Sequence, residues 1–274
     1  MAHQGKQEQV KQLLNDVRTV CAEARCPNRG ECFAQGTATF LVMGAVCTRR
    51  CIFCSVEKGG VEPLDWGEID RVVEAAKSMQ LQHLVITSVT RDDLLDGGAS
   101  FFAKLVSVVR EQCNGVSIEL LIPDMQGDPA ALSTVFGSRP DVLNHNVETA
   151  PSLYKTVRPQ ANYRQSLLVL KGASEAELIT KSGMMVGLGE TNREVFSVID
   201  DLAEAGCSII TIGQYLQPTS KQTPVVRYVT PDEFALFRDY GEKNNLHIVA
   251  GPFVRSSYNA LKIMEEYNVK LFGK

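Results

Sequence analysis

Six of the eight cysteines in this chain lie between positions 21 and 54, in two triplets with different spacings. Cys21, Cys26 and Cys32 form C-x4-C-x5-C, and Cys47, Cys51 and Cys54 form C-x3-C-x2-C. Thiolates are soft ligands for zinc or iron, and a closed tetrahedral site takes four of them. A triplet leaves one position open, so a four-iron cluster held by three cysteines has an iron that can take another ligand and do chemistry. Zinc fits the pattern poorly, because a zinc ribbon needs paired C-x2-C units and only Cys51 and Cys54 have that spacing. A disulfide framework fits poorly too, since the cysteines are bunched in the first fifth of a long chain.

The elements that must position these residues alternate between strand and helix. Near-continuous apolar runs at Thr39–Ala45, His83–Val89, Ser117–Pro123, Asp141–Val147, Lys181–Leu188 and Cys207–Leu216 read as parallel strands buried on both faces, and His247–Phe253 is a further apolar run. Between them, amphipathic stretches at Asp70–Met79, Ser100–Cys113 and Asn192–Ala205 read as helices. Thr191 to Glu194 is close to a capping box, and Thr230-Pro231-Asp232-Glu233 opens the next helix with a cap and proline at its first position. This rhythm implies a parallel α/β sheet, either a barrel or an open doubly wound sheet. No G-x-G-x-x-G follows the first strand, which weakens the dinucleotide-binding version. Polar residues gather at strand ends: Thr87 and Ser88, then Asn144 to Thr149, then Gly213 to Tyr215. In barrels that end builds the active site, and the second triplet follows the first strand on the same face.

Composition excludes several classes. The chain has 274 residues, 44% of them hydrophobic, which suits one large domain with a sizeable core. A net charge of −4 gives no electrostatic case for nucleic acid or a membrane surface. No apolar run is long enough to span a bilayer, and the first residues lack the apolar core of a secretory signal. The expected location is the cytoplasm, where clustered cysteines bind metal or do redox chemistry. Val10, Leu13, Leu14, Val17 and Val20 are spaced as one helical stripe. His145, between two asparagines, reads as a packed histidine, and Cys113 and Cys207 read as small buried hydrophobes.

The second triplet, with Phe53 before its last cysteine, resembles the signature of radical S-adenosylmethionine (SAM) enzymes, in which three cysteines bind a [4Fe–4S] cluster and SAM chelates the open iron. The segment Val20–Phe33 looks like the auxiliary-cluster motif of the lipoyl synthase family, and Arg255-Ser256-Ser257-Tyr258 is similar to that family's R-S-S-Y motif, whose second serine is the fourth ligand of the auxiliary cluster. The same family is matched at Ser88–Leu94, Asn144–Thr149, Val157–Pro159, Lys181–Glu190 and Gly213–Thr219. Ile52 stands where the family usually has proline and Ser55 where it has aspartate; neither is a ligand, and the arm before Cys21 is short.

The resemblance implies a partial (β/α)6 TIM-type barrel over 37–245, an N-terminal extension over 1–36 with the auxiliary-cluster cysteines, and a C-terminal segment over 246–274 with the R-S-S-Y motif. It implies cluster ligands Cys47, Cys51 and Cys54, auxiliary ligands Cys21, Cys26, Cys32 and Ser257, and SAM contacts from Phe53, Thr87, Ser88, Asn146, Glu148, Arg158, Met185 and Gln214. Arg49 and Arg50 flank the cluster loop and could offset cluster charge or be solvated loop arginines; Arg158 could hold the SAM carboxylate or form a surface salt bridge. The implied reaction inserts two sulfur atoms at C6 and C8 of an octanoyl group on a lysine of a lipoyl carrier domain, with the auxiliary cluster as sulfur donor. Implied partners are 2-oxoacid dehydrogenase E2 subunits, the glycine cleavage H protein, flavodoxin or ferredoxin as electron donor, and an iron–sulfur carrier protein. The rivals are another radical SAM sulfur-inserting enzyme, of biotin synthase or methylthiotransferase type, and a noncatalytic iron–sulfur or zinc redox sensor. Two cubane clusters predict about eight iron and eight sulfide per chain after anaerobic reconstitution; elemental analysis that finds stoichiometric zinc without sulfide would sink the cluster reading.

Overall fold

The structure is a computed structural model that describes residues 17–34 and 38–272. Val10, Leu13 and Leu14 of the expected helical stripe lie outside the described residues. The chain forms two compact units, one of the residues up to Arg49 with Ser55–Asp141, the other of Arg50–Cys54 with Val142 onward.

The first unit begins with two short helices, α1 (Val20–Glu23) and α2 (Arg29–Ala34), followed by β1 (Thr39–Val42), β2 (Val46–Cys47) and β3 (Glu57–Lys58). Then come α3 (Glu68–Ser78), β4 (His83–Ser88), α4 (Ala99–Gln112), β5 (Ser117–Leu121) and α5 (Pro129–Gly137). Strands β1, β4 and β5 run parallel with β4 in the middle, in the register Thr39 to Val85 and His83 to Ser117. All four β1 side chains are buried, as expected for a parallel strand covered on both faces. Helix α3 buries Ile69, Val72, Val73 and Ala76 on one stripe, and α4 buries Phe101, Phe102, Leu105 and Val109. The two-residue strands β2 and β3 pair in parallel, Val46 with Glu57 and Cys47 with Lys58, which fixes the ends of the segment between them.

The second unit has β6 (Val142–Asn144), α6 (Tyr154–Val157), α7 (Tyr163–Glu175), β7 (Ile179–Val186), α8 (Asn192–Glu204), β8 (Ile209–Gln214), α9 (Pro231–Lys243), β9 (His247–Gly251) and α10 (Ala260–Phe272). Its four strands are parallel in sequence order. The apolar run at His247–Phe253 supplies β9, which pairs with β8 from His247 opposite Ile209 to Gly251 opposite Gly213. The core is aliphatic and aromatic, with Val186, Val198, Ile199, Leu202, Ile212 and Phe237 all fully buried. Ladder pairing in β6 stops at Asn144, three residues before the apolar run ends. Beyond it Glu148 takes a left-handed φ of 67° while still bonding β7, its N–H to the Gly183 carbonyl and its own carbonyl to the Met185 N–H. The run thus continues irregularly past β6, with Glu148 turned out of strand geometry.

Both expected caps form full capping boxes. Thr191 accepts from the Glu194 N–H, and Thr230 accepts from the Glu233 N–H, with Pro231 in the first turn. The Glu233 carboxylate takes hydrogen bonds from the Thr230 N–H (2.9 Å), Asn192 Nδ2 (2.9 Å) and Arg227 Nη1 (2.8 Å). The backbone bond and these side-chain donors draw its pKa down from the ordinary 4.5 to about 2. A lowered carboxylate pKa stabilises the fold above the unfolded value and loses that contribution as pH falls through the folded value. Glu233→Gln should cost about 1–2 kcal/mol at pH 7. In urea titrations the gap to wild type should shrink as pH falls below 4.5 and close near 2; a gap independent of pH would contradict the assignment.

Candidate functional site

In the first unit, Cys21 lies in α1, whose N-cap Thr19 accepts from the Ala22 N–H, and Cys32 lies in α2. The Cys26 N–H bonds the Cys21 carbonyl (3.1 Å) and the Cys32 N–H the Asn28 carbonyl (2.9 Å), so the turn between the helices is closed by backbone bonds. Cys21 and Cys32 are buried, and Cys26 is half-buried. Burial pushes the Cys32 thiol up to about 12, and the neighbouring Cys21 and Cys26 add to the rise. Burial also raises the Cys21 pKa. Burial and mutual repulsion disfavour the thiolate forms of Cys21 and Cys32, and a cation relieves both, so this donor set fits an iron–sulfur group. Among the described residues no three His, Cys, Asp or Glu side chains are gathered closely enough to cage a single metal ion. Among the described residues, which include all eight cysteines, there is no disulfide.

The second triplet starts at Cys47, the last residue of β2, whose Sγ accepts from the Arg49 N–H at 3.4 Å. Thr48 bonds the Thr90 carbonyl through its N–H (3.1 Å) and its hydroxyl (2.9 Å). Arg49 is not a solvated loop arginine. It is buried, with Nε and Nη2 on Asp92 (2.7 and 2.9 Å) and Nη1 and Nη2 on Asp124 (2.8 and 2.6 Å). Burial works against its charge, but the bonds to Asp124 and Asp92 outweigh it and hold the pKa above the ordinary value. Nor is that charge available to offset a cluster, because two carboxylates already match it. Asp124 is delivered by an unusual turn in which Met125 and Gln126 have φ of 46° and 52°. Such left-handed geometry costs roughly 1–2 kcal/mol per residue that carries a side chain. After the loop, the Ser55 hydroxyl donates to the Glu23 carbonyl (2.9 Å), tying the residue after the second triplet to the helix of the first.

Cys51 and Cys54 belong to the second unit. The Cys54 N–H bonds the Cys51 carbonyl, Ile52 exchanges backbone bonds with Val157 and Thr223 (3.1 Å each), and Gln222 Nε2 donates to the Cys54 carbonyl. Ile52 and Phe53 pack with Leu153, Met185 and Val225 against buried Val157, Leu188 and Tyr215. Phe53 and Met185 thus pack against the same buried cluster.

The strand-end residues divide between the units. In the first, the Thr87 hydroxyl donates to the Leu121 carbonyl (2.8 Å), while the Ser88 hydroxyl is buried without a partner. In the second, Asn146 Nδ2 donates to Glu148 Oε1 (3.1 Å) and Ser256 Oγ (3.3 Å), and its Oδ1 is buried without a partner. A Cβ on Gly183 would stand 2.8 Å from that oxygen and 2.9 Å from Thr211 Oγ1, so only glycine leaves room there. Burial raises the Glu148 pKa, against the lowering effects of Arg158 and Asn146. Arg158 is no surface salt bridge: Nη1 bonds the carbonyls of Asn146 (3.0 Å) and Val147 (3.2 Å) and the Tyr154 hydroxyl (3.1 Å), and its buried Nε has no partner. Burial opposes its charge, but Tyr154, Glu148 and Cys51 more than compensate.

Gln214 spends its amide inside the protein, with Nε2 on the carbonyls of Tyr215 and Arg227 (3.0 Å each) and Oε1 accepting from the Val229 N–H (2.9 Å). It braces residues 225–229 against the end of β8. Arg255 Nη1 donates to the Val254 carbonyl (2.6 Å), and the Tyr258 N–H closes a turn on the Arg255 carbonyl. Ser257, half-buried, sits in that turn. A Cβ on Gly213 would stand 2.0 Å from the Val254 carbonyl oxygen, so the turn lies directly on the β8 backbone. His145 is buried against Ser166 (3.0 Å), a packed histidine as expected. Cys113 and Cys207 are buried as well. The sequence reading missed Tyr154 and Asp124, while Asp92 and Ser256 stood inside matched motifs without a role of their own; Asp124 follows β5 at the end where the other polar residues gather, and that position was its one signal.

Comparison with known proteins gives these features a setting. A model of the radical SAM superfamily matches residues 41–202. The chain is 52% identical over 261 residues to a lipoyl synthase from Oleidesulfovibrio alaskensis, covering 94% of this chain and 90% of the relative. It is 53% identical over 247 residues to one from Caldanaerobacter subterraneus subsp. tengcongensis, covering 89% and 87%. Among solved structures, Streptococcus suis SuiB bound to S-adenosylmethionine aligns with a TM-score of 0.62 at 11% identity, over 77% of this chain and 49% of that one. Methylornithine synthase (PylB) aligns with a TM-score of 0.58 at 13% identity, over 91% and 84%. At those identities the likeness shows the fold alone, and it is the α/β, partial-barrel class expected from the sequence. The family follows from the full-length identity to the curated relatives: the chain belongs to the lipoyl synthase family of the radical SAM superfamily.

Proposed function

We propose that the chain is a lipoyl synthase, which inserts two sulfur atoms at C6 and C8 of a protein-bound octanoyl-lysine. The observation that carries this reading is identity of about half over nine-tenths of both chains to relatives of that activity. Its cofactors are SAM and two [4Fe–4S] clusters. When bound, the cluster on the second triplet and SAM supply a 5′-deoxyadenosyl radical, and the auxiliary cluster supplies the sulfur.

The residues take the following parts. By motif, Cys47, Cys51 and Cys54 hold the SAM-binding cluster, and Cys21, Cys26, Cys32 and Ser257 the auxiliary one. The unpartnered Asn146 Oδ1, in the space kept open by Gly183, suits a ribose hydroxyl donor, with Glu148 beside it as a second acceptor. Arg158, with a buried unpartnered Nε, is assigned to the SAM carboxylate. Phe53 and Met185 form an apolar wall suited to adenine, and Gln214 holds that wall by bracing the strap that carries Val225. Thr87 and Ser88 are assigned to the methionyl amine, with the unpartnered Ser88 hydroxyl as a ready acceptor. The domain reading is an extension over 1–36 for the auxiliary cysteines, a barrel over 37–245 and a segment over 246–274 for Ser257.

The substrate is a protein-bound octanoyl group. We assign the carriers to 2-oxoacid dehydrogenase E2 subunits and the glycine cleavage H protein, the reductant to flavodoxin or ferredoxin, and cluster supply to an iron–sulfur carrier protein. The assigned location is the cytoplasm; among the described residues no helix is long and apolar enough to cross a membrane.

The test supplies SAM, reductant and an octanoylated carrier peptide. Formation of 5′-deoxyadenosine with a mass gain of sulfur on the peptide is the expected outcome. Deoxyadenosine without sulfur on any octanoyl carrier would keep the superfamily and discard the specific enzyme. Ser257→Cys should keep the auxiliary cluster but slow sulfur transfer, because an alkoxide is a harder ligand than a thiolate and is more readily lost by protonation. Turnover by that variant at the wild-type rate would contradict the role given to Ser257.

A further inference from the structure

Arg49 and its two aspartates are not part of the set of ligands and SAM contacts assigned above, yet they are the most heavily bonded side chains next to Cys47. Four charge-assisted bonds of 2.6–2.9 Å join one guanidinium to Asp92 and Asp124. The Arg49 side chain is 6% exposed and that of Asp124 is 1% exposed, so this is a buried fork rather than a surface pair. The partners come from two different loops. Asp92 follows β4, in the loop to which Thr48 is bonded, and its own N–H donates to the Thr48 hydroxyl (3.1 Å). Asp124 follows β5, and the next residues, Met125 and Gln126, adopt left-handed backbone. Gln126 joins the two loops, with Nε2 on the Asp92 carbonyl (3.3 Å) and its N–H on Asp124 Oδ1 (3.1 Å). From this fixed point, the Arg49 N–H reaches back to the Cys47 sulfur at 3.4 Å.

We propose that Arg49 is a positioning residue for the SAM-binding cluster: locked by Asp92 and Asp124, it sets the place of the Cys47 sulfur and of the N–H donor that the sulfur accepts from. This rests on the assignment of Cys47 to that cluster. Lysine at this position keeps the charge but not the planar fork, so it cannot bond both carboxylates in the same geometry. The loss should therefore be local to Cys47 and leave the first triplet alone.

The experiment compares Arg49→Lys with wild type as full-length, anaerobically reconstituted protein. Expected are a folded protein with a lower melting temperature, retention of the auxiliary cluster, and a rise of about tenfold in the KM for SAM with slower deoxyadenosine formation. The spectral change that SAM causes in the reduced cluster should be altered, and in the metal-free protein Cys47 should be alkylated faster than in wild type. A merely structural role predicts something else, both clusters lost together, and that result overturns the proposal. So does a fully loaded variant whose KM, SAM-induced spectrum and Cys47 alkylation match wild type. If Arg49→Lys does not fold, Asp92→Asn decides, since Asp92 lies at the rim of the fork at 27% exposure and its loss is better tolerated. The same selective defect in milder form supports the proposal, and no defect overturns it. Wild type that makes no deoxyadenosine would overturn the function itself, which separates the two failures.

Discussion

Thiolate charge is the constraint on which this molecule turns. A buried cysteine resists ionisation, and each ionised neighbour makes the next ionisation harder, as the rise of Cys32 to about 12 shows. A metal group relieves both penalties together, because its positive iron replaces the missing solvent and the missing counter-charge. The ligand segments then have little need of strong secondary structure of their own. Helices α1 and α2 have four and six residues, far below the length at which an isolated helix is stable, and they are closed by a Thr19 cap and a few backbone bonds. In the proposed function the auxiliary cluster adds to what holds them.

Around the second triplet, protein charge is matched within the protein. Arg49 is balanced by Asp92 and Asp124, and the remaining donor offered to Cys47 is a backbone N–H. In the second unit, Arg158 stays charged among carbonyls, a tyrosine ring at 5.4 Å and the Cys51 sulfur. Three buried polar atoms without a partner, Ser88 Oγ, Asn146 Oδ1 and Arg158 Nε, are the opposite case. A buried group left without a bond costs free energy in a finished fold, and in the proposed function each of these three meets a polar group of the ligand.

Much of this was legible in the sequence because it depends on local pattern. Apolar runs gave the strands, and Thr191 and Thr230 gave helix starts to the residue, since a cap needs only a hydroxyl and a partner three positions on. Cysteine spacing pointed to a cluster for the same reason. Arg49 was illegible because its partners lie 43 and 75 residues away and meet it only when parallel strands bring their ends together. Gln214 shows the reverse difficulty. Its place at a strand end suggested ligand contact, but its amide is engaged with Arg227 and Val229, in a loop that carries no periodic signal. The end of β6 was misplaced because an apolar run does not show where backbone will turn left-handed, as it does at Glu148.

The two triplets differ in how the chain holds them. Cys47 is fixed by a β2–β3 pair, by the Thr48 bonds and by the Arg49 fork, a set of restraints made by the chain itself. A cluster that must bind SAM in one geometry at every turnover needs such a frame, because small displacements of reacting groups are costly in rate. Cys21 and Cys32 sit on two short helices with Cys26 in the turn between them, held by local backbone bonds, by Thr39 beside Cys21 and by the Ser55 tie to Glu23, so the frame of the first triplet is built from nearby chain rather than from a buried ion-pair fork.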